Sequence, residues 1–193
     1  MNIVETPAPD TPASNQTAAS SPLAWLAHWL RDLFLAVIIA VVIILFVYQP
    51  VKVEGTSMMP ALADQERIFI NKFAYRLGLT PITRGDTVVF LFPHDTSKHY
   101  IKRVIGIPGD TVEIREGHVF VNGKELKEEY VPDEYRDRLS IPAQLVDANH
   151  YFVMGDHRSS SNDSRAWGPV SREFIYGKAV FVYWPLEKLG VVR

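Results

Sequence analysis

Two stretches of this 193-residue chain hold side chains whose surroundings could support chemistry. The first is Val53-Glu54-Gly55-Thr56-Ser57-Met58-Met59-Pro60-Ala61-Leu62. Gly55 permits close backbone approach or unusual dihedrals beside Ser57. Pro60 stiffens the exit from the turn. Taken alone, a serine in a Gly-containing turn is structural more often than nucleophilic. The two Met residues suit the wall of a groove or a lipid surface.

The second stretch is Tyr100-Ile101-Lys102-Arg103-Val104-Ile105-Gly106. With a strand period of two, Tyr100, Lys102 and Val104 share one face, and Ile101, Arg103 and Ile105 share the other. One of the two adjacent cations then faces the buried side. A buried lysine must be paired or neutral. In water, a pKa of about 10.4 leaves roughly one molecule in two thousand as free base at neutral pH. Desolvation lowers that pKa. A neutral lysine beside a serine can take its proton, which is the Ser–Lys form of nucleophilic catalysis. The plainer alternative is a strand-edge lysine with its head in water.

Asp156, His157, Ser159, Ser160 and Ser161 also cluster. Neighbours on an extended chain point to opposite sides and do not assemble a Ser-His-Asp triad. His157 therefore reads as a loop residue. His94, His99, His118 and His150 show no metal-ligand spacing, so no metal and no cofactor are expected. The chain has no cysteine, which excludes thiolate catalysis, disulfides and Cys-based zinc sites. Its formal net charge of -2 gives no basic excess for nucleic acid.

Three regions must position these groups. Residues 1–22 are rich in Pro, Ala, Thr and Ser without Lys or Arg, and read as a disordered tail. Residues 23–49 read as an interfacial segment with Trp25 and Trp29, then an apolar run over 33–48 without a charge, Gly or Pro. As a helix that run is about 24 Å long, slightly short for a bilayer. Snorkelling by Arg31, with Trp29 and Tyr48 at the two interfaces, closes most of the gap. A cleaved leader would carry a basic start and end in small residues, and this segment does neither. It is expected to stay as an anchor. Arg31 and Lys52 flank it almost symmetrically, so charge alone leaves the orientation open.

Residues 50–193 read as a β-rich domain. Strands are expected over 87–92, 100–107, 111–114, 118–121, 124–126, 151–154 and 178–184, with Asn122-Gly123 as a type I′ hairpin turn. Asp110, after Pro108-Gly109, reads as a turn residue. Residues 126–148 give no interpretable pattern, and the charged run 127–138 reads as a solvated insertion. The expected fold class is mainly β: a compact antiparallel β-domain with one N-terminal transmembrane helix.

Four boxes in order resemble a known family. EGTSMMPAL (54–62), RGDTVVF (84–90), YIKRVIGIPGD (100–110) and GDHRSSSNDSRAWGPV (155–170) are similar to those of bacterial type I signal peptidases, which also carry an N-terminal membrane segment. The resemblance spans roughly residues 30 to 185. It implies the fold of that family, Ser57 as nucleophile and Lys102 as general base. It implies Ser161 as the serine that hydrogen-bonds and orients the lysine, and Asp163 and Arg165 as an acid–base pair under the site. Val53, Gly55, Met58, Leu62, Tyr100 and Ile101 match positions around shallow substrate pockets. The Ser57 N–H would donate to the oxyanion. Some members of that family place a serine hydroxyl as a second donor two residues earlier, where this chain has Gly55 without a hydroxyl. The implied partners are preprotein signal peptides, the lipid bilayer and, by proximity, the secretion translocon. The implied location is the cell (inner) membrane, single-pass, with the catalytic domain outside the cytoplasm. Two other readings stand beside this one: a membrane-tethered β-domain that binds peptides without catalysis, and a Ser–Lys self-cleaving protein, which the apolar run at 33–48 disfavours.

Overall fold

The computed structural model describes residues 22–46, 48–73, 78 and 80–192. Apart from Pro22, the tail expected over 1–22 lies outside the described residues. The chain divides into two compact units, Met1–Ala40 and Val41–Arg193.

The first helix, α1 (Pro22–Phe46), has 25 residues and a length of about 37 Å. Its window Trp25–Ile43 has a mean hydropathy of 2.1, and none of it is buried. The helix is long and apolar enough to cross a membrane. It starts earlier than the apolar run suggests. The segment expected to lie at the interface is helical, and Tyr48 opens a strand instead of closing the helix. Arg31 and Asp32 do not interrupt it, because they neutralise each other at 2.8 Å.

The remainder is built from antiparallel strands: β1 (Tyr48–Lys52), β2 (Arg67–Asn71), β3 (Thr87–Phe92), β4 (Asp95–Gly106), β5 (Thr111–Arg115), β6 (His118–Val121), β7 (Lys124–Glu125), β8 (Ile141–Leu145), β9 (His150–Met154), β10 (Val170–Ser171), β11 (Ile175–Trp184) and β12 (Gly190–Val191). The larger sheet runs β1-β2-β11-β3-β4-β9-β10, with β12 paired to β11. The smaller runs β7-β6-β5-β8. Every strand expected from the sequence is present, with β4 and β11 longer than expected. The pairs β1–β2, β8, β10 and β12 add to that set. At the β6–β7 hairpin, Asn122 and Gly123 have φ of 55° and 76°, as a type I′ turn requires.

The central strands are covered on both sides. On β3, Val88 and Phe90 join one buried cluster while Val89 joins another. On β4, Val104 joins the cluster of Val88 and Phe90, and Ile105 packs with Val112, Ile114 and Phe152 beneath the smaller sheet. Alternation along β4 therefore does not separate a wet face from a dry one. Lys102 and Arg103 are both buried, at 4% and 2% exposure, where one exposed cation was expected.

Gly106 sits where the two sheets meet. A Cβ there would lie 2.5 Å from Val112 Cγ2 and 3.1 Å from Val146 Cγ2. Gly106→Ala should lose about 1–3 kcal/mol of stability by overpacking. Chemical denaturation of the detergent-solubilised chain measures the loss.

Candidate active site

Ser57 lies in the turn-rich connection between β1 and β2. Backbone bonds cross this connection: Val53 N–H donates to Glu66 O at 2.7 Å, and Gln65 N–H to Val53 O at 2.9 Å. The Gly55 N–H donates to the Asp64 carboxylate at 2.8 Å. Gly55 takes a φ of +92°, a conformation that side chains strain. Val53, Met58 and Leu62 pin the turn to the core against Ile68, Ile70 and Val89. Ser57 is left half-buried at the rim. Its N–H has no intramolecular acceptor among the described residues.

Lys102 reaches the serine from β4, where Val88 of β3 is its register partner. Its Nζ lies 2.6 Å from Ser57 Oγ. Burial is the largest influence on the amine and pushes its pKa down to about 8. Asp163 and Asp156 act through space in the opposite direction, and Arg165 reinforces the lowering. At pH 7 roughly a tenth of the molecules then hold a neutral amine, about two hundred times the fraction in free lysine.

The loop 155–165 closes the back of the pair. His157 N–H donates to Ser57 O at 3.1 Å, and its Nδ1 lies 3.3 Å from Thr56 O. His157 is thus held against the serine turn, where a solvated loop residue was expected. Gly155 is wedged between the pieces: a Cβ on it would meet Ser161 Oγ at 2.3 Å and Ser57 O at 2.4 Å. Ser161 is therefore beside the site, but its buried Oγ meets no partner at full hydrogen-bond geometry among the described residues. The bond to Lys102 expected of it is not made: the hydroxyl lies against the Gly155 backbone and favours the charge of the neighbouring Asp163 carboxylate.

Asp163 and Arg165 form a buried pair and not a surface one. Arg165 donates to both Asp163 oxygens, each at 2.8 Å. Asp163 also accepts from Gly155 N–H at 3.0 Å. Burial works against its charge, but these bonds outweigh it and hold the carboxyl below its ordinary range. Arg103 donates to Asp156 at 2.8 and 2.6 Å, a pair that the sequence reading did not identify. Asp110 behaves as a turn residue, accepting from Ile107 N–H at 2.8 Å.

A groove of about 590 Å³ opens beside Ser57 and Lys102. Of the expected pocket residues, Val53, Gly55, Met58, Tyr100 and Ile101 line it. Leu62 does not: it is fully buried in the core behind Met58. The bond from Leu62 N–H to Met58 O, at 2.9 Å, closes the turn that carries it into that core. Val89, Lys98 and Asn162 line the groove without having been singled out. Val89 carried a signal in the dense apolar run of β3. The other two carried none.

Two outcomes follow from this packing. Gly155→Ala should displace Ser57 and Ser161 together and lower turnover sharply in a steady-state activity assay, because the added carbon meets the Ser57 carbonyl. Lys102→Met should stabilise the fold. The folded pKa is depressed, so below about pH 8 the parent bears the full cost of a buried ammonium, on the order of 3 kcal/mol. Between pH 8 and 10.4 the folded parent has shed a proton that the unfolded chain retains, so parental stability rises with pH and the advantage of the variant shrinks. Melting curves at pH 7 and pH 10 test both halves.

The family model for signal peptidase, peptidase S26, matches residues 26–184. Signal peptidase I P of Bacillus subtilis subsp. natto is 38% identical over 173 residues, covering 85% of this chain and 91% of that one. Signal peptidase I of Leptolyngbya laminosa is 36% identical over 198 residues, covering 96% and 94%. A crystal structure of a signal peptidase I from Enterococcus faecalis matches at 31% identity and a TM-score of 0.45, over 51% of this chain and 97% of that one. Taken with the four ordered boxes, the family model and the two sequence relatives leave one assignment: the chain is a serine peptidase of the signal peptidase (peptidase S26) family.

Proposed function

We propose that this peptidase removes signal peptides from exported preproteins, with Ser57 as nucleophile and Lys102 as general base. The observation that carries the reading is the 2.6 Å contact between Ser57 Oγ and a Lys102 amine that is only 4% exposed. When the amine is neutral, the same contact lets the hydroxyl donate to the nitrogen lone pair.

Ser57 Oγ attacks the carbonyl carbon of the scissile bond as its proton passes to Lys102 Nζ. The Ser57 N–H, which has no acceptor of its own, points its dipole at the oxyanion. Such a donor contributes a few kcal/mol only as the charge develops. The Gly55 N–H is engaged with Asp64 and is not available as a second donor. The lysine then gives its proton to the departing amine, and the C–N bond breaks to leave an ester on Ser57. Water, deprotonated by the neutral amine, attacks that ester and restores the hydroxyl. Asp163 and Arg165 support the floor of the site. Ser161, across Gly155 from Ser57 O, takes up a bond to the ammonium as it forms.

Val53, Met58 and Ile101 give the groove an apolar wall that admits small side chains and excludes bulk. Cleavage after A-x-A-like sites follows from that shape. The substrate lies extended along the edge of β4 and gains backbone bonds as an added strand. On this reading, residues 1–22 are a tail, 23–49 a single-pass anchor and 50–193 the catalytic domain on the extracytoplasmic face, near the secretion translocon. Confinement in the same membrane as the substrate raises its effective concentration.

Ser57→Ala and Lys102→Ala should each abolish cleavage of a preprotein by detergent-solubilised enzyme, and N-terminal sequencing of the parental product should place the cut after a small residue. Undiminished cleavage by either variant refutes the assignment. The pH profile of kcat/KM should rise with a midpoint near 8, because the base form of Lys102 carries the reaction. A midpoint near 10 would mean an amine in water.

A further inference from the structure

The charged run 127–138 does not behave as a solvated insertion. It leaves the smaller sheet between β7 and β8 and reaches back to the loop that backs Ser57. Glu128 is 5% exposed, and its partner Arg158 is 3% exposed. Arg158 donates to Glu128 from both terminal nitrogens, at 2.9 and 2.5 Å. The third nitrogen of Arg158 holds Gly155 O at 3.0 Å. Tyr130 Oη donates to Glu128 at 2.9 Å, and its ring lies 4.2 Å from the guanidinium of Arg103, next to Lys102 on β4. Asp137 takes a terminal nitrogen of Arg165, whose other nitrogens hold Asp163 and Arg158 O. Tyr135 lies against the ring of His157 at 4.3 Å between centroids.

We propose that Glu128 and Asp137, aided by Tyr130 and Tyr135, form an acidic clasp that positions Ser57 against Lys102 by fixing the 155–165 loop. The clasp rests on the reading of that pair as the catalytic dyad. Glu128 and Asp137 act through the two arginines and are positioning residues, not catalytic ones. A buried ion pair adds little net stability over an apolar pair of equal volume. It does fix geometry, because two parallel N–H···O bonds define distance and angle together. Each clasped arginine passes that definition on. Arg158 fixes the Gly155 carbonyl, and Gly155 leaves no spare room beside Ser57 O. His157 N–H, in the same loop, holds that carbonyl directly. A shift of the loop must therefore move the serine relative to an amine anchored on β4. Misplacement of about 1 Å can slow chemistry on the order of a hundredfold without altering how the substrate binds.

The test measures steady-state cleavage of a preprotein by the full chain in detergent, with melting curves on the same samples. Glu128→Gln keeps the shape and removes the charge. Tyr130→Phe removes one hydroxyl and leaves the ring on Arg103. Both should lower kcat, by about tenfold for Glu128→Gln and by less for Tyr130→Phe, with KM within about twofold of the parent. Glu113→Gln, which breaks an exposed pair on β5, should change neither constant. Parental kcat in Glu128→Gln and Tyr130→Phe overturns the clasp. So does a raised KM at constant kcat, or a loss of rate that merely tracks the loss of folded protein. If Glu128→Gln does not fold, Tyr130→Phe decides alone. Ser57→Ala is assayed beside them: turnover by that variant defeats the dyad reading itself, whereas an inactive Ser57→Ala with a fully active Glu128→Gln defeats only the clasp.

Discussion

An ammonium held at 4% exposure, with no carboxylate bonded to it among the described residues, is an unfavourable thing for a protein to build. The rest of this domain is arranged around that cost. The Lys102 amine sits in a strand covered from both sides, with Ser57 Oγ as its hydrogen-bonding partner at 2.6 Å. Asp163 and Asp156 act on it only through space. A contacting carboxylate would hold the proton on the amine and remove its basicity. The arrangement keeps negative charge near enough to make burial tolerable and far enough to leave the amine able to titrate near neutral pH.

Those two aspartates are themselves committed to arginines: Asp156 to Arg103 and Asp163 to Arg165. Arginine suits this use because its planar fork meets a carboxylate with two bonds and keeps its charge when buried. The site therefore contains several permanent cations and one conditional one. The permanent ones neutralise the acids, so that the acids do not fully restore the lysine.

The division into two sheets serves the same end. The larger sheet carries both strands that frame the site, β3 and β4, and the connection that presents Ser57. The smaller sheet covers the opposite face, packing Val112, Ile114 and Val119 in one cluster with Ile105, Phe152 and Met154 of the larger sheet. It also carries the 127–138 run, which returns its acids to the site loop. The groove itself stays simple. Its floor is the outer surface of the first core cluster, so the side chains that shape it are the same ones that hold the serine turn in place.

Much of this was legible in the residues. Seven strands, the Asn122-Gly123 hairpin and an apolar N-terminal helix follow from period and turn chemistry, which are local. A lysine inside an apolar strand must be paired or neutral, which singles out Lys102, but its pairing with Ser57 came from the resemblance of the boxes at 54–62 and 100–110 to those of a known family. The sequence could not decide what covers the second face of β4, since that depends on a sheet assembled from residues 111–145. Period two promised one buried cation, and tertiary packing buried both. Nor could it place Leu62 in the core and not beside the groove, set Ser161 against the Gly155 backbone, or see that Glu128 and Asp137 meet arginines 30 and 28 positions away. Acids in a charged run look solvated until a partner is brought to them. Local sequence fixes which side chains can react or pair; which of them are stripped of water depends on surfaces that meet only when distant segments fold together.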